Sequence, residues 1–391
     1  MSEASRRLGR GGGSVIGGRA ILAVDPGALA GLARGHRIAL VSGTNGKTTT
    51  TSLLCAALST TGPVVTNLLG ANLPPGLASA LAAGASGAPA ALEVDEAWLG
   101  RVADATKPVA VALLNLSRDQ LDRNNEVRRL ASTWRSSFER SAATVVANAD
   151  DPLVAWGAGL ASQVRWVGAG LPWTDDAAGC PSCGGRILFE ADGRWACGNC
   201  EFARPEPDAW LDGHELVGRD GTRTELPLSL PGRANRANAA MAIMVAEAFG
   251  VARPAAAQAM TGISDVVGRY STVRVGSTEA RLLLAKNPAG WLEVFDVLRP
   301  APVPVVVAIN ARIADGRDPS WLWDVPFERL AGRVVVASGE RSRDLAVRLH
   351  YADVEHLHEP DLLAAVAAAG ASTVDFVGNY TAFQDIRARL R

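Results

Sequence analysis

The chain has no excess of charge of either sign: Lys plus Arg number 39 and Asp plus Glu 40, a net charge of −1. A protein that coats nucleic acid needs a strongly basic balance and a solvating tail an acidic one, so both classes are excluded. No hydrophobic run approaches the roughly 20 residues that cross a bilayer. The twin arginine Arg6-Arg7 is followed by Gly-Arg-Gly-Gly-Gly where an export signal requires an apolar core, so a frayed start and a cytoplasmic location are expected. Cysteine is scarce, and four of the five fall in a metal pattern rather than a disulfide framework, which suits a reducing compartment. There is no internal repeat of fixed period. The histidines His36, His214, His350, His356 and His358 show no metal spacing near a candidate site, and His356-Leu-His358 reads as a surface loop.

What is present is 48% hydrophobic residues and 391 positions, enough for two or three domains of roughly 100–200 residues each. Apolar stretches alternate with amphipathic ones, which is how a parallel sheet with crossover helices reads. Candidate strands are 37–42, 63–66, 90–93, 109–114 and 143–147, with a helix following residues 43–50 and another over 234–249. A polar, Cys-bearing insert over about 167–206 interrupts this rhythm. A second set of strands lies at 281–285, 303–308, 333–337 and 373–377, with helical patterns at 291–297, 342–349 and 362–369. The expected fold class is α/β: an N-terminal domain over 1–268 built on a parallel sheet, and a smaller C-terminal α/β domain over 269–391.

Gly43-Thr44-Asn45-Gly46-Lys47-Thr48-Thr49 lies between a strand and a helix. Glycines let such a turn aim its N–H groups at a polyphosphate, at the positive end of the helix that follows. Lys47 would neutralise the outer phosphates and the Thr48 hydroxyl would ligate magnesium. Ser42 stands where the usual pattern has its first glycine, so this is a variant of the phosphate loop. Magnesium there needs a carboxylate at a neighbouring strand end; Glu93 fits best, ahead of Asp95 and Glu96, which are either the alternative carboxylates or simply solvated.

Cys180-Pro-Ser-Cys183 and Cys197-Gly-Asn-Cys200 are two C-x-x-C knuckles thirteen residues apart. Each places two thiolates on one tight turn, and together they complete a tetrahedral site suited to zinc, with no open position for catalysis. A redox pair is the other reading. Cys55, among Leu53, Leu54 and Ala56, reads as a small buried hydrophobe.

The phosphate loop, the strand ending in Glu93, Asn148-Ala-Asp-Asp-Pro152 and Asn235-Arg-Ala-Asn238 together resemble the Mur ligases. Asn115-Leu-Ser-Arg-Asp-Gln-Leu-Asp122, Lys286-Asn-Pro-Ala-Gly-Trp291 and Ala314-Asp-Gly-Arg-Asp-Pro-Ser-Trp-Leu-Trp-Asp324 narrow the resemblance to the MurT branch of that family, the synthetase subunits of lipid II isoglutaminyl synthase. The resemblance runs from about Ser14 to Tyr380 and implies a Mur-ligase-like P-loop ATPase domain. It also implies ATP on Lys47 and Thr48, a magnesium ion on Glu93, Asn235 and Asn238 near the base, Arg269 near the phosphates, and Asn72 towards the muropeptide. The activity it implies is ATP-dependent amidation of the D-glutamate α-carboxylate of lipid II through an acyl phosphate, at the inner face of the membrane. Nitrogen would come from a glutaminase partner of the GatD type, since no glutaminase signature surrounds Cys55. In this family an aspartate of the second domain completes the partner's Cys-His-Asp triad; Asp318 is favoured here, with Asp324 next.

Three departures accompany the resemblance. Gln120 stands where Mur ligases commonly carry a histidine, the early phosphate loop leads to the expectation of no separate domain for a UDP-sugar, and Asn310-Ala-Arg-Ile313 occupies a stretch usually acidic or amide-bearing. Trp321 and Trp323 serve either as interface anchors or as core, and Asp318 or Ser320 as a helix cap. Two other functions compete. One is a Mur or folylpolyglutamate-type ligase that joins an amino acid. The other is a zinc-ribbon P-loop protein that binds nucleic acid, which would need a basic, aromatic face that the mixed charges of residues 168–207 do not supply.

Overall fold

A strand such as Ile38-Ala-Leu-Val-Ser42 has no side to offer water and must be covered on both faces. In the computed structural model, which describes residues 15–67, 71–119, 127–264 and 270–390, every residue of that strand is buried. The chain divides into two compact units, residues 1–117 with 126–264 and residues 118–125 with 265–391. Arg118 and Asp119 therefore cluster with the second unit although the sequence around them lies inside the first. Among the described residues no helix is long and apolar enough to cross a membrane.

The first unit holds the strands β1 (Ile38–Ser42), β2 (Val65–Thr66), β3 (Ala90–Glu93), β4 (Ala110–Leu113), β5 (Thr144–Asn148), β6 (Val164–Gly168), β7 (Ile187–Phe189), β8 (Trp195–Cys197), β9 (Ala209–Asp212), β10 (Glu215–Gly218) and β11 (Arg223–Glu225). Its helices are α1 (Ile16–Val24), α2 (Ala28–Ala33), α3 (Lys47–Leu58), α4 (Pro74–Ala83), α5 (Leu99–Thr106), α6 (Val127–Phe138), α7 (Pro152–Ala158), α8 (Arg233–Ala248) and α9 (Arg253–Met260). Nine strands make one sheet in the order β11-β10-β9-β6-β5-β4-β1-β3-β2. The strands from β2 to β9 run parallel; β10 and β11 close the edge as an antiparallel meander. The chain passes from β1 to β2 and β3 on one side and then to β4 on the other. The loop after β1 thus sits where the strand order reverses, the place where open α/β sheets bind ligands. One face packs Leu40, Leu92, Val111, Trp134 and Phe138 into a core, and α8 covers the other, buried continuously from Ala239 to Ala246.

The second unit holds β12 (Tyr270–Val275), β13 (Thr278–Leu284), β14 (Val305–Ala308), β15 (Val335–Ser338), β16 (His356–His358) and β17 (Thr373–Gly378), with α10 (Pro288–Phe295), α11 (Ser342–Tyr351), α12 (Leu362–Ala368) and α13 (Tyr380–Arg389). The sheet order is β12-β13-β17-β14-β15-β16, parallel except for β12. Both faces are covered, by a core around Trp291 and Phe327 on one side and around Phe376 and Phe383 on the other. Asp375 on β17 is fully buried and accepts from Nε and Nη2 of Arg281, at 2.8 and 2.7 Å.

Several elements differ from the sequence reading. His356–His358 is an edge strand paired to β15, not a loop: backbone pairing makes it a strand although its side chains stay largely open to water. The meander β9–β11 and the strand β12 were hidden because charged residues such as Arg223 and Glu225 flank one inward side chain, Thr224. Helices α1 and α2 were likewise not expected; α1 has Gly18 as its buried residue, pressed on Pro75 at the start of α4.

A candidate nucleotide site, a thiol cluster and an aspartate loop

Gly46 is the last residue before α3 and has φ +85°, and a Cβ there would stand 2.4 Å from Asn238 Oδ1. Only glycine suits both the left-handed backbone and this close approach. The loop is held from behind by Asn115, whose side chain accepts the Asn45 amide at 2.9 Å and donates to its carbonyl at 3.1 Å. Thr44 exchanges hydrogen bonds with Ser117. No side chain caps the first turn of α3, which leaves the positive end of the helix to a ligand, as phosphate binding requires.

The ammonium of Lys47 folds back on the carbonyls of Gly43 and Thr44, at 2.5 and 3.3 Å, and on Glu96 Oε2 at 3.1 Å. Glu96 is buried and its carbonyl accepts the Trp134 indole N–H. The reading of Glu96 as solvated is therefore corrected: a buried cation needs a counter-charge, and Lys47 draws it inward. Asp95 stays half-buried and accepts the Ala97 amide.

Register explains the position of Glu93. Parallel pairing sets it opposite Val41, one residue from the end of β1. Its Oε2 accepts the Thr48 hydroxyl at 2.8 Å and its Oε1 the Asn72 amide at 3.2 Å, while Asn67 pins its backbone on both sides. A buried carboxylate beside the hydroxyl that starts α3 supplies the hard oxygen donors that magnesium takes. Asn238 rests against the loop at Gly46; Asn235, one turn earlier on the same face of α8, donates to the Pro231 carbonyl at 2.6 Å. Arg269 lies outside the described residues, as does Gln120.

The Asn148-to-Pro152 stretch is a structural hub. Asn148 donates to the Gly170 carbonyl, and Asp150 pairs with Arg204 at 2.6 Å. Asp151 caps α7 through the Leu153 and Val154 amides and also accepts the Leu116 amide. Burial pushes its carboxyl up to about 6, against the pull of those three N–H donors.

The four insert cysteines bring their sulfurs within 4.8 Å of one another. Cys180 lies 3.8 Å from Cys200 and Cys183 3.5 Å from Cys197. The edge of a tetrahedron with metal–sulfur bonds of about 2.3 Å is about 3.8 Å, so these donors fit a metal ion. The Gly185 amide donates to the Cys183 thiolate and holds its pKa down at about 6. The insert rests on the unit through Trp195, which donates to the Ala149 carbonyl and packs within the insert against Phe202, ring centroids 5.0 Å apart and tilted. Cys55 is half-buried rather than buried, and desolvation raises its thiol pKa.

In the second unit the three narrower motifs meet around a cavity of about 30 Å³ lined by Arg118, Asp119, Lys286, Asp318, Trp321 and Asp324. Lys286 pairs with Asp119, and Asn287 caps α10. Asp315 is buried, where it takes the Thr381 amide and hydroxyl; burial raises its pKa. Asp324 is engaged by Arg118 at 3.1 Å. Asp318 is exposed and its Oδ1 accepts the Ser320 amide, a local turn contact; the short turn Ser320–Asp324 begins after Pro319 with no side-chain cap, so neither Asp318 nor Ser320 is the helix cap the sequence suggested. Arg312, in the stretch that departs from the family pattern, pairs with Glu340 and Asp385 at 2.8 Å each. Trp321 packs on the core and Trp323 is exposed.

The family model of the Mur ligase middle domain matches residues 41–170, and that of the MurT ligase C-terminal domain matches residues 284–383. The MurT subunit of the glutamine-hydrolysing lipid II isoglutaminyl synthase of Streptococcus pneumoniae is 32% identical over 88% of this chain and 83% of that protein. Its counterpart in Staphylococcus aureus is 28% identical over 99% of this chain and 95% of that protein. Among solved structures, a pseudomurein peptide ligase type C from Methanothermus fervidus aligns with a TM-score of 0.72 at 18% identity, over 91% of this chain and 79% of that one. MurF ligase from Thermotoga maritima, solved with ADP, aligns with a TM-score of 0.62 at 16% identity, over 93% and 82%. The fold and its phosphate loop are those of a ligase of the Mur class. Within that class the chain belongs to the MurT family.

Proposed function

We propose that this chain is the synthetase subunit that amidates lipid II during peptidoglycan synthesis, using ATP and nitrogen released from glutamine by a GatD-type glutaminase. The observation that carries the reading is the contact of Thr48 with Glu93 beneath an uncapped helix start. Lys47 and the loop amides would hold the phosphates, and Thr48 and Glu93 would hold magnesium. Bound magnesium supplies charge neutralisation on the transferring phosphoryl group. For Lys47, the move from loop carbonyls and Glu96 to phosphate exchanges one set of buried partners for another. Asn235 and Asn238 would border the base, with Arg269 towards the phosphates and Asn72 towards the muropeptide.

The reaction transfers the terminal phosphoryl group of ATP to the D-glutamate α-carboxylate, and ammonia then displaces phosphate to leave the amide. The preorganised donors around the loop stabilise the charge that develops on transfer. The chain's own thiols are poor candidates to attack glutamine: four sit in the metal cluster and Cys55 is half-buried with a raised pKa. A nucleophile on the partner fits, and Asp318, exposed with one oxygen engaged, is the better placed of the two aspartates to steady the partner's histidine. Zinc is the metal that a set of four thiolates favours, and there it stabilises the insert. The work would be done in the cytoplasm, at the inner face of the membrane through the lipid substrate.

The test incubates the chain with ATP, magnesium, lipid II and glutamine, with and without a GatD-type glutaminase, and reads product by mass. Amidated lipid II is expected only with both chains; glutamine-dependent product from the single chain would overturn the division of labour.

A further inference from the structure

A cleft of about 640 Å³ lies between the tip of the Cys-bearing hairpin and the first turn of α8. Arg204, Arg233 and Arg236 line it, together with the aromatic residues Phe189 and Trp210. Arg204 is committed to Asp150 at 2.6 Å. Arg233 and Arg236 have no carboxylate or carbonyl partner among the described residues, and the Arg236 Nε is shut off from water without an acceptor. Two like charges one helical turn apart repel each other, and a buried N–H with no acceptor costs free energy. Both costs fall when an anion binds between them.

The backbone makes room for this arrangement. Gly170 has φ +82°, and a Cβ there would stand 1.6 Å from a guanidinium nitrogen of Arg233. Four carboxylates also line the cleft: Asp150 is taken by Arg204, Glu190 and Asp192 are shared with Arg194 at 3.5 and 2.8 Å, and Glu206 stands on the lining without an ion pair to Arg233 or Arg236 among the described residues. The cleft is also separate from the phosphate loop. At about 100° per residue, Arg233 and Arg236 lie on the side of α8 opposite Asn235 and Asn238, and it is Asn238 that rests on Gly46.

We infer that this cleft binds a second, phosphate-bearing ligand of the nucleotide class, its phosphate forked by Arg233 and Arg236 and its ring laid on Trp210 and Phe189. Guanidinium forks match phosphate oxygens in pairs, and aromatic faces take flat rings. The insert then has a role beyond closing on its own metal, because its hairpin forms one wall of the site.

Calorimetric titration with adenosine monophosphate, and separately with pyrophosphate, tests this on the full chain. In Lys47→Ala, adenosine monophosphate is expected to bind still, and more tightly than pyrophosphate. With Lys47 intact, Arg233→Ala/Arg236→Ala should weaken that event by about tenfold or more. Ala191→Trp, on the exposed hairpin tip, should weaken it too, by narrowing the mouth while leaving both arginines in place. It serves as the test should the double variant fail to fold. The inference is overturned if Lys47→Ala removes all binding, or if a folded arginine or Ala191 variant titrates like the wild type. Pyrophosphate binding as tight as adenosine monophosphate overturns the ring contact.

Discussion

The phosphate loop after β1 and the aspartate loop after β14 both follow buried parallel strands, yet they are finished differently. Around residues 43–48 polar groups turn inward: Lys47 onto carbonyls and Glu96, Thr48 onto Glu93, Asn45 onto Asn115. Around residues 315–324 the buried carboxylate, Asp315, is consumed by Thr381, while Asp318 faces outward with a single backbone donor. An inward constellation suits chemistry that excludes water and acts on a small ligand. An outward carboxylate suits chemistry lent to another surface. Each loop's polar side chains are spent in the direction in which the proposed reaction needs them.

The largest effect that would break this contrast concerns Asp318. Asp318→Asn should lower glutamine hydrolysis by the complex about 10³-fold or more, since the third triad member fixes the tautomer of the histidine, and leave ATP binding by calorimetry unchanged. Asp324→Asn, which loses only an exposed pair with Arg118, should change hydrolysis less than about threefold. The reverse order of effects would transfer the role to Asp324. Next, Glu93→Gln should cut amidation about 100-fold and raise the magnesium concentration needed for half-maximal rate; an unaltered magnesium dependence would detach Glu93 from the metal.

Smaller effects sharpen the comparison with the thiol cluster, for which a stabilising role is proposed. Cys183→Ser should reduce bound metal, read by elemental analysis, and lower the melting temperature by several degrees, with full amidation retained at low temperature. Smallest is a pH effect at Asp151. Its folded pKa of about 6 lies above the ordinary aspartate value of 3.8, so its contribution to stability is fully present below about pH 4 and is lost as pH rises through 6. The melting-temperature advantage of wild type over Asp151→Asn should therefore shrink between pH 4 and 6.5; a constant difference would contradict the raised pKa.

Much of this arrangement was legible in the sequence where the governing distances are short along the chain. The turn at residues 43–48 and the C-x-x-C knuckles announce themselves by spacing, and Glu93 by ending an apolar strand whose register carries it beside β1. What stayed hidden depends on partners far along the chain. Glu96 reads as one more acid in an acidic run until Lys47 is seen to need it. Asp318 and Asp324 look alike until Arg118, 206 residues away, takes one of them. The meander β9–β11 escaped because edge strands with one inward residue show little hydrophobic alternation.

The most direct test of the central claim bypasses the partner's glutaminase step. Lipid II amidation is measured by mass with ammonium chloride in place of glutamine, comparing the wild-type complex with one carrying Lys47→Ala. The account predicts product from the wild type and a loss of about 10³-fold or more in the variant, because the loop that holds the transferring phosphoryl group has lost its cation. Amidation by Lys47→Ala at the wild-type rate would contradict it.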